Sequence, residues 1–259
     1  GLRGTGQNEA ALNFLLEIYQ QEKEWRKAID IASQLPDHSG HLWQKEIANF
    51  YCELAATEIN NSRSDEARRL LDEALGAHRK SVRASILLGD LLAAAGDAES
   101  AIEAWKRIEQ QNPGYLPLVA AKLMEAYRKL GRSEQGLQLL RSYLAEHPSL
   151  DLLDAAFQWT LVDDGPEAAY QLVRDELRRN PTLLGLDKLL EAQILLAPPE
   201  GRADLELVKN LIHNHTRKVA RYRCDSCGFK ARQFYWRCPG CGAWESYPPR
   251  RTEEFDLTP

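Results

Sequence analysis

Along most of the chain, apolar and small residues recur three or four positions apart, as on one face of a helix: Leu15 and Tyr19, Ala28 and Ala32, then Ala67, Leu71 and Ala74. They lie in long segments rich in Ala, Leu, Glu and Arg, and strand-like alternation is nearly absent before Arg221. The 12 prolines and 16 glycines punctuate these segments. The pattern predicts a mainly α fold. It also repeats. A small residue that lets the second helix of a pair lie close against the first stands at Ala28, Ala67, Ala101, Gly136 and Ala169, at spacings of 39, 34, 35 and 33 residues. One helical pair cannot bury its apolar face alone, so successive pairs must stack, and the expected product is a superhelix with a long concave side.

The clearest unit runs from Val82 to Asn112 and is closed by Pro113. Leu88-Gly89 are expected to make the tight contact in its first helix, Gly96-Asp97 to turn the chain, and Ala101 and Trp105 to line its second helix. The next unit, Pro117 to Glu146, repeats this with Leu123, Tyr127, Gly131 at the turn, Gly136 in place of the usual alanine, Leu140 and Tyr143. These series resemble the tetratricopeptide repeat in order and phase, rather than an ordinary helical bundle. Leu15, Tyr19, Ala28 and Ala32 fit an earlier unit and Leu54, Ala67, Leu71 and Ala74 another, with the insert Pro36 to Gly40 between them. Beyond Pro148, Ala156, Ala169, Val173 and Pro181 continue the period. Thr182 to Leu196 and Ala203 to Thr216 form a last pair around Pro198-Pro199. The expected organisation is thus five to six helical pairs over residues 1–216, a small module over 217–247 and a tail over 248–259.

In this register the groove-facing positions of successive first helices are Glu17, Ala56, Asp90, Glu125 and Gln158. The mostly acidic stripe suits a basic or apolar partner and lacks the Asn and Lys of repeat proteins that clamp a terminal carboxylate. The same acids also read as a solvated helix face.

With 44% hydrophobic residues the chain has enough for a core. No run approaches the roughly 18 uninterrupted apolar residues of a spanning helix. A net charge of -5, from 33 basic and 38 acidic residues, argues against nucleic-acid binding over the whole surface. The first residue is Gly1 and the single methionine is Met124, so a further segment is expected upstream, where any anchor or signal would lie.

Four of the five cysteines form Cys224-x2-Cys227-x10-Cys238-x2-Cys241. This suits metal ligation in a reducing compartment better than a disulfide framework. Each C-x-x-C places two thiolates on one tight turn, and Gly228 and Gly242 directly after allow the positive φ such a turn needs. Together they make a closed tetrahedral S4 site that looks like a short rubredoxin or zinc ribbon. Zinc is the first expectation and a single iron the alternative, since the spacing does not choose between them. With no open coordination position the metal is expected to be structural. Tyr222, Phe229 and Phe234-Tyr235-Trp236 would pack round the site, and Trp244 would close it. The short connection from Arg217 to Tyr222 implies a module docked on the repeats.

Other chemistry is thinner. A thioredoxin-type redox site needs one C-x-x-C in a βαβ pattern, which is missing. Arg217, Lys218, Arg221, Arg223, Lys230, Arg232 and Arg237, interleaved with aromatics, leave nucleic-acid binding by a basic zinc ribbon as the alternative function. His213 and His215 read as surface residues of the preceding helix, because the thiolates already complete the shell. Cys52, among Phe50, Tyr51 and Leu54, reads as a buried small hydrophobe. No H-E-x-x-H, P-loop or G-x-S-x-G motif occurs, which disfavours an enzyme.

Helical repeats ending in Tyr222-Arg223-Cys224-x-x-Cys227-Gly228-Phe229, then Tyr235-Trp236-x-Cys238-Pro239-x-Cys241-x-x-Trp244, resemble the lipopolysaccharide assembly protein B family of Gram-negative bacteria. Phe50-Tyr51-Cys52-Glu53-Leu54-Ala55 is similar too. The resemblance implies a non-enzymatic adaptor on the cytoplasmic side of the inner membrane, anchored by an N-terminal helix absent from this chain. In the family, such an adaptor promotes proteolysis of the lipid A pathway deacetylase by the membrane protease FtsH and so limits lipopolysaccharide synthesis. A PbgA/YejM-type inner-membrane regulator is implied as antagonist. Only Cys224, Cys227, Cys238 and Cys241 carry over by position as functional residues.

Overall fold

The computed structural model describes residues 2–36 and 42–253. Most of the expected insert, residues 37–40, and the end of the expected tail, residues 254–259, lie outside them. The chain divides into two compact units, Gly1–Asn112 and Pro113–Pro259.

The first unit contains α1 (Leu2–Gln21), α2 (Trp25–Ala32), α3 (Leu42–Asn60), α4 (Ser64–Ala77), α5 (Val82–Ala94), α6 (Ala98–Lys106) and the single turn α7 (Ile108–Gln111). Helices pack pairwise as hairpins, and α2 on α3 and α4 on α5 join one pair to the next. Ala28, Ala67 and Ala101 have no exposed surface, as close helix contact demands. The core between α3, α4 and α5 gathers Ala48, Cys52, Ala55, Leu70, Leu71, Ala74 and Leu88, so Cys52 serves as an apolar filler. Gly89 lets α5 meet α6 closely: a Cβ there would stand 2.3 Å from Trp105 Nε1. That indole is itself buried and donates to the Ile86 carbonyl at 3.3 Å. On α1 the expectation for Leu15 is corrected. It is 37% exposed, and Leu16, turned about 100° further round the helix, is the buried residue at 2%.

The second unit opens with a 3-10 turn, Pro113–Leu118, and continues with α8 (Ala120–Lys129), α9 (Ser133–Glu146), α10 (Leu150–Asp163), α11 (Pro166–Arg179), α12 (Leu183–Leu196) and α13 (Pro199–Val219). The helix expected from Pro117 begins instead at Ala120. Pro113 and Pro117 both lack an N–H, so the segment takes the tighter turn. The last helix starts at Pro199, ahead of the expected Ala203, because proline is tolerated in a first turn whose N–H has no partner anyway. Gly136 is required where alanine is usual, since a Cβ would lie 2.8 Å from Met124 Sδ and 2.9 Å from Tyr127 Cβ.

One turn geometry recurs in four hairpins. Lys23, Ser62, Gly96 and Gly131 all adopt positive φ, at 59°, 60°, 86° and 69°. After each, the next amide bonds back across the helix end: Glu24 to Tyr19, Arg63 to Glu58, Asp97 to Leu92 and Arg132 to Tyr127, at 2.9 to 3.0 Å. This is the left-handed helix stop that glycine favours. The two earlier hairpins make it with Lys23 and Ser62. Asp97 then caps α6 by accepting from Ser100 N.

Of the five expected groove positions, Glu17, Glu125 and Gln158 are exposed, and Ala56 and Asp90 half-buried. The second unit ends in a small antiparallel sheet of β1 (Ala220–Arg223), β2 (Lys230–Ala231) and β3 (Thr252–Glu253), in the order β2-β1-β3. Tyr222 pairs with Ala231 and Arg221 with Thr252. Among the described residues no helix is long and apolar enough to cross a membrane.

Candidate metal centre

The two C-x-x-C segments fold as near copies of one another. Gly228 N donates to the Cys224 carbonyl at 2.8 Å, and Gly242 N to the Cys238 carbonyl at 2.9 Å. Cys224 N donates to Phe229 O and Cys238 N to Ala243 O. Gly228 and Gly242 take φ of 76° and 74°, where an L side chain is strained. An arginine precedes the first cysteine of each turn. Arg237 donates to the Gly242 carbonyl at 3.1 Å and lies over the Trp244 ring. A Cβ on Gly228 would be 3.8 Å from the Arg223 guanidinium.

All four sulfur atoms, of Cys224, Cys227, Cys238 and Cys241, lie within 4.8 Å of one another. Cys224 Sγ is 3.8 Å from Cys241 Sγ, and Cys227 Sγ 3.7 Å from Cys238 Sγ. A regular tetrahedron with metal–sulfur bonds of about 2.3 Å has sulfurs about 3.8 Å apart, so the donor set fits one tetrahedral ion, zinc or iron alike. Cys224 and Cys238 are buried, while Cys227 and Cys241 reach the surface. The thiols are electrostatically divided. Burial raises Cys224, but the Ser246 hydroxyl and the amides of Cys227 and Ser226 outweigh it and bring that thiol down to about 6. The Phe229 amide lowers Cys227, yet burial and the three neighbouring sulfurs push it up to about 12. Four thiols this close do not all ionise without a cation between them.

Around the cage, Cys224, Cys238 and the fully buried Tyr247 form a miniature core, with Tyr222, Ala231, Phe234 and Tyr235 packed against it. Tyr247 donates to the Phe229 carbonyl at 2.8 Å, and Ser246 Oγ lies 3.2 Å from Cys224 Sγ. Neither residue was among those expected at the site. Trp244 is buried as expected, whereas Phe229 is 44% exposed. Its backbone carbonyl, held by Cys224 N and Tyr247, does the structural work, and its ring is left outside.

The module is seated on helices of its own unit. Tyr115, in the 3-10 turn, stacks on Trp236 with centroids 5.5 Å apart and planes at 6°, and meets the edge of Phe234. Its hydroxyl donates to the Glu245 carbonyl at 3.4 Å. Arg251 makes a two-pronged bond to Asp151 on α10, at 2.6 and 3.3 Å. The Glu253 carboxylate accepts from Leu183 N and Leu184 N, both at 2.6 Å, at the positive end of α12. Those contacts place the strand after the module against the helices.

The remaining candidates stay apart from the cage. His213 faces the buried Asp187 of α12 at 3.3 Å, His215 lies exposed on α13, and Cys52 belongs to the other unit.

The rubredoxin metal binding domain family matches residues 222–248. Tetratricopeptide repeat families match residues 52–115 and 122–149. The chain is 34% identical over 243 residues to lipopolysaccharide assembly protein B of Escherichia coli strain K12, covering 93% of this chain. It is 29% identical over 250 residues to the protein of the same name from Haemophilus influenzae, covering 96% of this chain. It spans 62% and 63% of the length of these two relatives. Among solved structures, that of MamA aligns with 63% of this chain and 93% of its own at 14% identity and a TM-score of 0.42. With helical hairpins that run into a four-cysteine ribbon, and with a likeness to both curated relatives along nearly its whole length, the chain is similar to lipopolysaccharide assembly protein B.

Proposed function

We propose that Cys224, Cys227, Cys238 and Cys241 hold one metal ion, zinc first and a single iron as the alternative, and that the chain is a non-enzymatic adaptor in the control of lipopolysaccharide synthesis. The observation that carries the adaptor reading is the continuous likeness to lipopolysaccharide assembly protein B over 93% of the chain. The sulfur spacing supports the metal reading. Four protein thiolates leave such an ion no position for water, so its contribution would be to staple two turns that have little core of their own. Arg223 and Arg237, beside the two turns, would offset the negative charge of the loaded cage.

An adaptor needs no catalytic constellation. It raises the local concentration of a substrate beside the machine that acts on it, and stacked helical hairpins provide the surface for that. The finer reading is that the chain acts at the cytoplasmic side of the inner membrane. There it would bring the deacetylase of the lipid A pathway to the membrane protease FtsH, with a PbgA/YejM-type regulator opposing it. The test follows the lifetime of tagged deacetylase in membranes containing the protease, with and without the full-length protein, alongside co-purification of both partners. A shorter lifetime with co-purification is expected; an unchanged lifetime and neither protein recovered would overturn it. Phe234 and Trp236 offer nucleic-acid bases no free stacking face, since they are packed against Tyr115 and each other, and Arg237 is turned onto Trp244.

A further inference from the structure

Helix α13 is the last of its unit, and the end of a helical stack ordinarily turns a polar face outward. Its inner face follows the rule for a packed helix. Leu205, Lys209, Ile212 and Thr216 recur every three or four residues, all at least half-buried, and Lys209 reaches Asp187 of α12 at 3.6 Å. The outer face does not follow the polar rule: Leu207 is 61%, Val208 45% and Leu211 65% exposed. On the same stripe, one and two turns before Leu207, lie the exposed acids Asp204 and Glu200. After Leu211 come His215 and Lys218, also exposed. The stripe therefore reads acid, acid, apolar, apolar, base, base along one side of a helix of 21 residues, about 31 Å long.

We infer that this face is the seat of a second copy of the chain, α13 against α13, antiparallel, about a two-fold axis passing between Leu207 and Leu211. The order of charges favours this occupant. Under such an axis Leu207 of one copy meets Leu211 of the other, Asp204 meets His215 and Glu200 meets Lys218, each pair twice. A parallel pair would set acid on acid and base on base, which like-charge repulsion disfavours. A foreign helix would have no need of a stripe complementary to itself. The charges fix orientation and register, while removal of the leucines from water drives association.

Sedimentation velocity of the metal-loaded chain over about 1 to 100 µM, bracketing the micromolar affinity of a small reversible interface, tests it. Concentration-dependent dimers are expected. Leu207→Asp with Leu211→Asp should weaken association at least about tenfold, and Val162→Asp, at a 67% exposed valine on α10, should leave it unchanged. Glu200→Lys with Asp204→Lys should also be monomeric, as should His215→Glu with Lys218→Glu, and mixing these two charge variants should restore a dimer. All four charge positions are exposed, so these variants fold even if the leucine pair does not. A wild-type chain that stays monomeric throughout, leucine variants that dimerise undiminished, or a mixture that fails to recover association would overturn the inference.

Discussion

Replacing Tyr115 by alanine should separate docking of the ribbon from the metal dependence proposed for its fold. Tyr115 is 5% exposed, stacked on Trp236 and edge-on to Phe234 at 6.3 Å. Truncating a buried aromatic costs about 3–5 kcal/mol. Within that, each ring pair accounts for about 0.5–1.5 kcal/mol beyond area, and the 3.4 Å bond to Glu245, longer than most, for about 0.5 kcal/mol or less. A loss of about 3–4 kcal/mol raises the open fraction of the docked ribbon about 100- to 1,000-fold. Because the four sulfurs and their amide bonds lie outside the contact, metal content should not change. Native-state hydrogen exchange reads the opening at Arg221 to Cys224, and elemental analysis reads the metal. Tyr115→Phe keeps both ring contacts and should stay within about 1 kcal/mol of wild type. Wild-type protection in Tyr115→Ala would refute the stacking estimate, and metal loss in step with protection would refute the separation of docking from cage.

Removing the metal with a chelator at neutral pH should unfold residues 221–247, because ligation supplies on the order of 10 kcal/mol to a fold this small; limited proteolysis that leaves this segment as resistant as before would contradict it. Gly89→Ala forces a methyl within 2.3 Å of Trp105 and breaks its bond to Ile86, so urea unfolding should show a net loss of about 2–3 kcal/mol despite the better helix propensity. Gly76→Ala on α4, with nothing within 4 Å of the new carbon, should instead gain about 0.5–1 kcal/mol. Burial raises the phenols of Tyr115, Tyr222 and Tyr247 above their usual 10.0, Tyr247 to about 12. The unfolded chain therefore releases these protons first, and the stability of the second unit should hold below pH 10 and fall as pH rises beyond it. Tyr115→Phe should flatten that fall, and an equal slope in both proteins would count against it.

How far each feature could be read from residues depends on whether its cause is local. Gly96 and Gly131 announced their turns because glycine at positive φ is a side-chain-independent signal, whereas Lys23 and Ser62 make the same turn without any such mark. The first two hairpins accordingly looked weaker in sequence than they are in space. Leu15 and Leu16 are adjacent leucines, and only the direction from which α2 arrives decides that the second is buried. Phe229 was expected in the ribbon core because aromatics near a metal turn usually are. Tyr247, six residues past the last cysteine, is instead the fully buried ring of that core.

Short-range spacing was sufficient for the helical pairs, for the close contacts at Ala28, Ala67, Ala101, Gly136 and Ala169, and for the gathering of the four thiols, since each depends on one helix face, on one tight turn, or on two such turns only 11 to 17 residues apart. The seat of the ribbon depends on Tyr115 meeting Trp236, Arg251 meeting Asp151 and Glu253 meeting the start of α12. Those partners are about 70 to 120 residues apart, and each is an ordinary residue in its own neighbourhood. A contact closed over so long a loop leaves no periodic trace in the chain, and so only the tertiary structure could decide it.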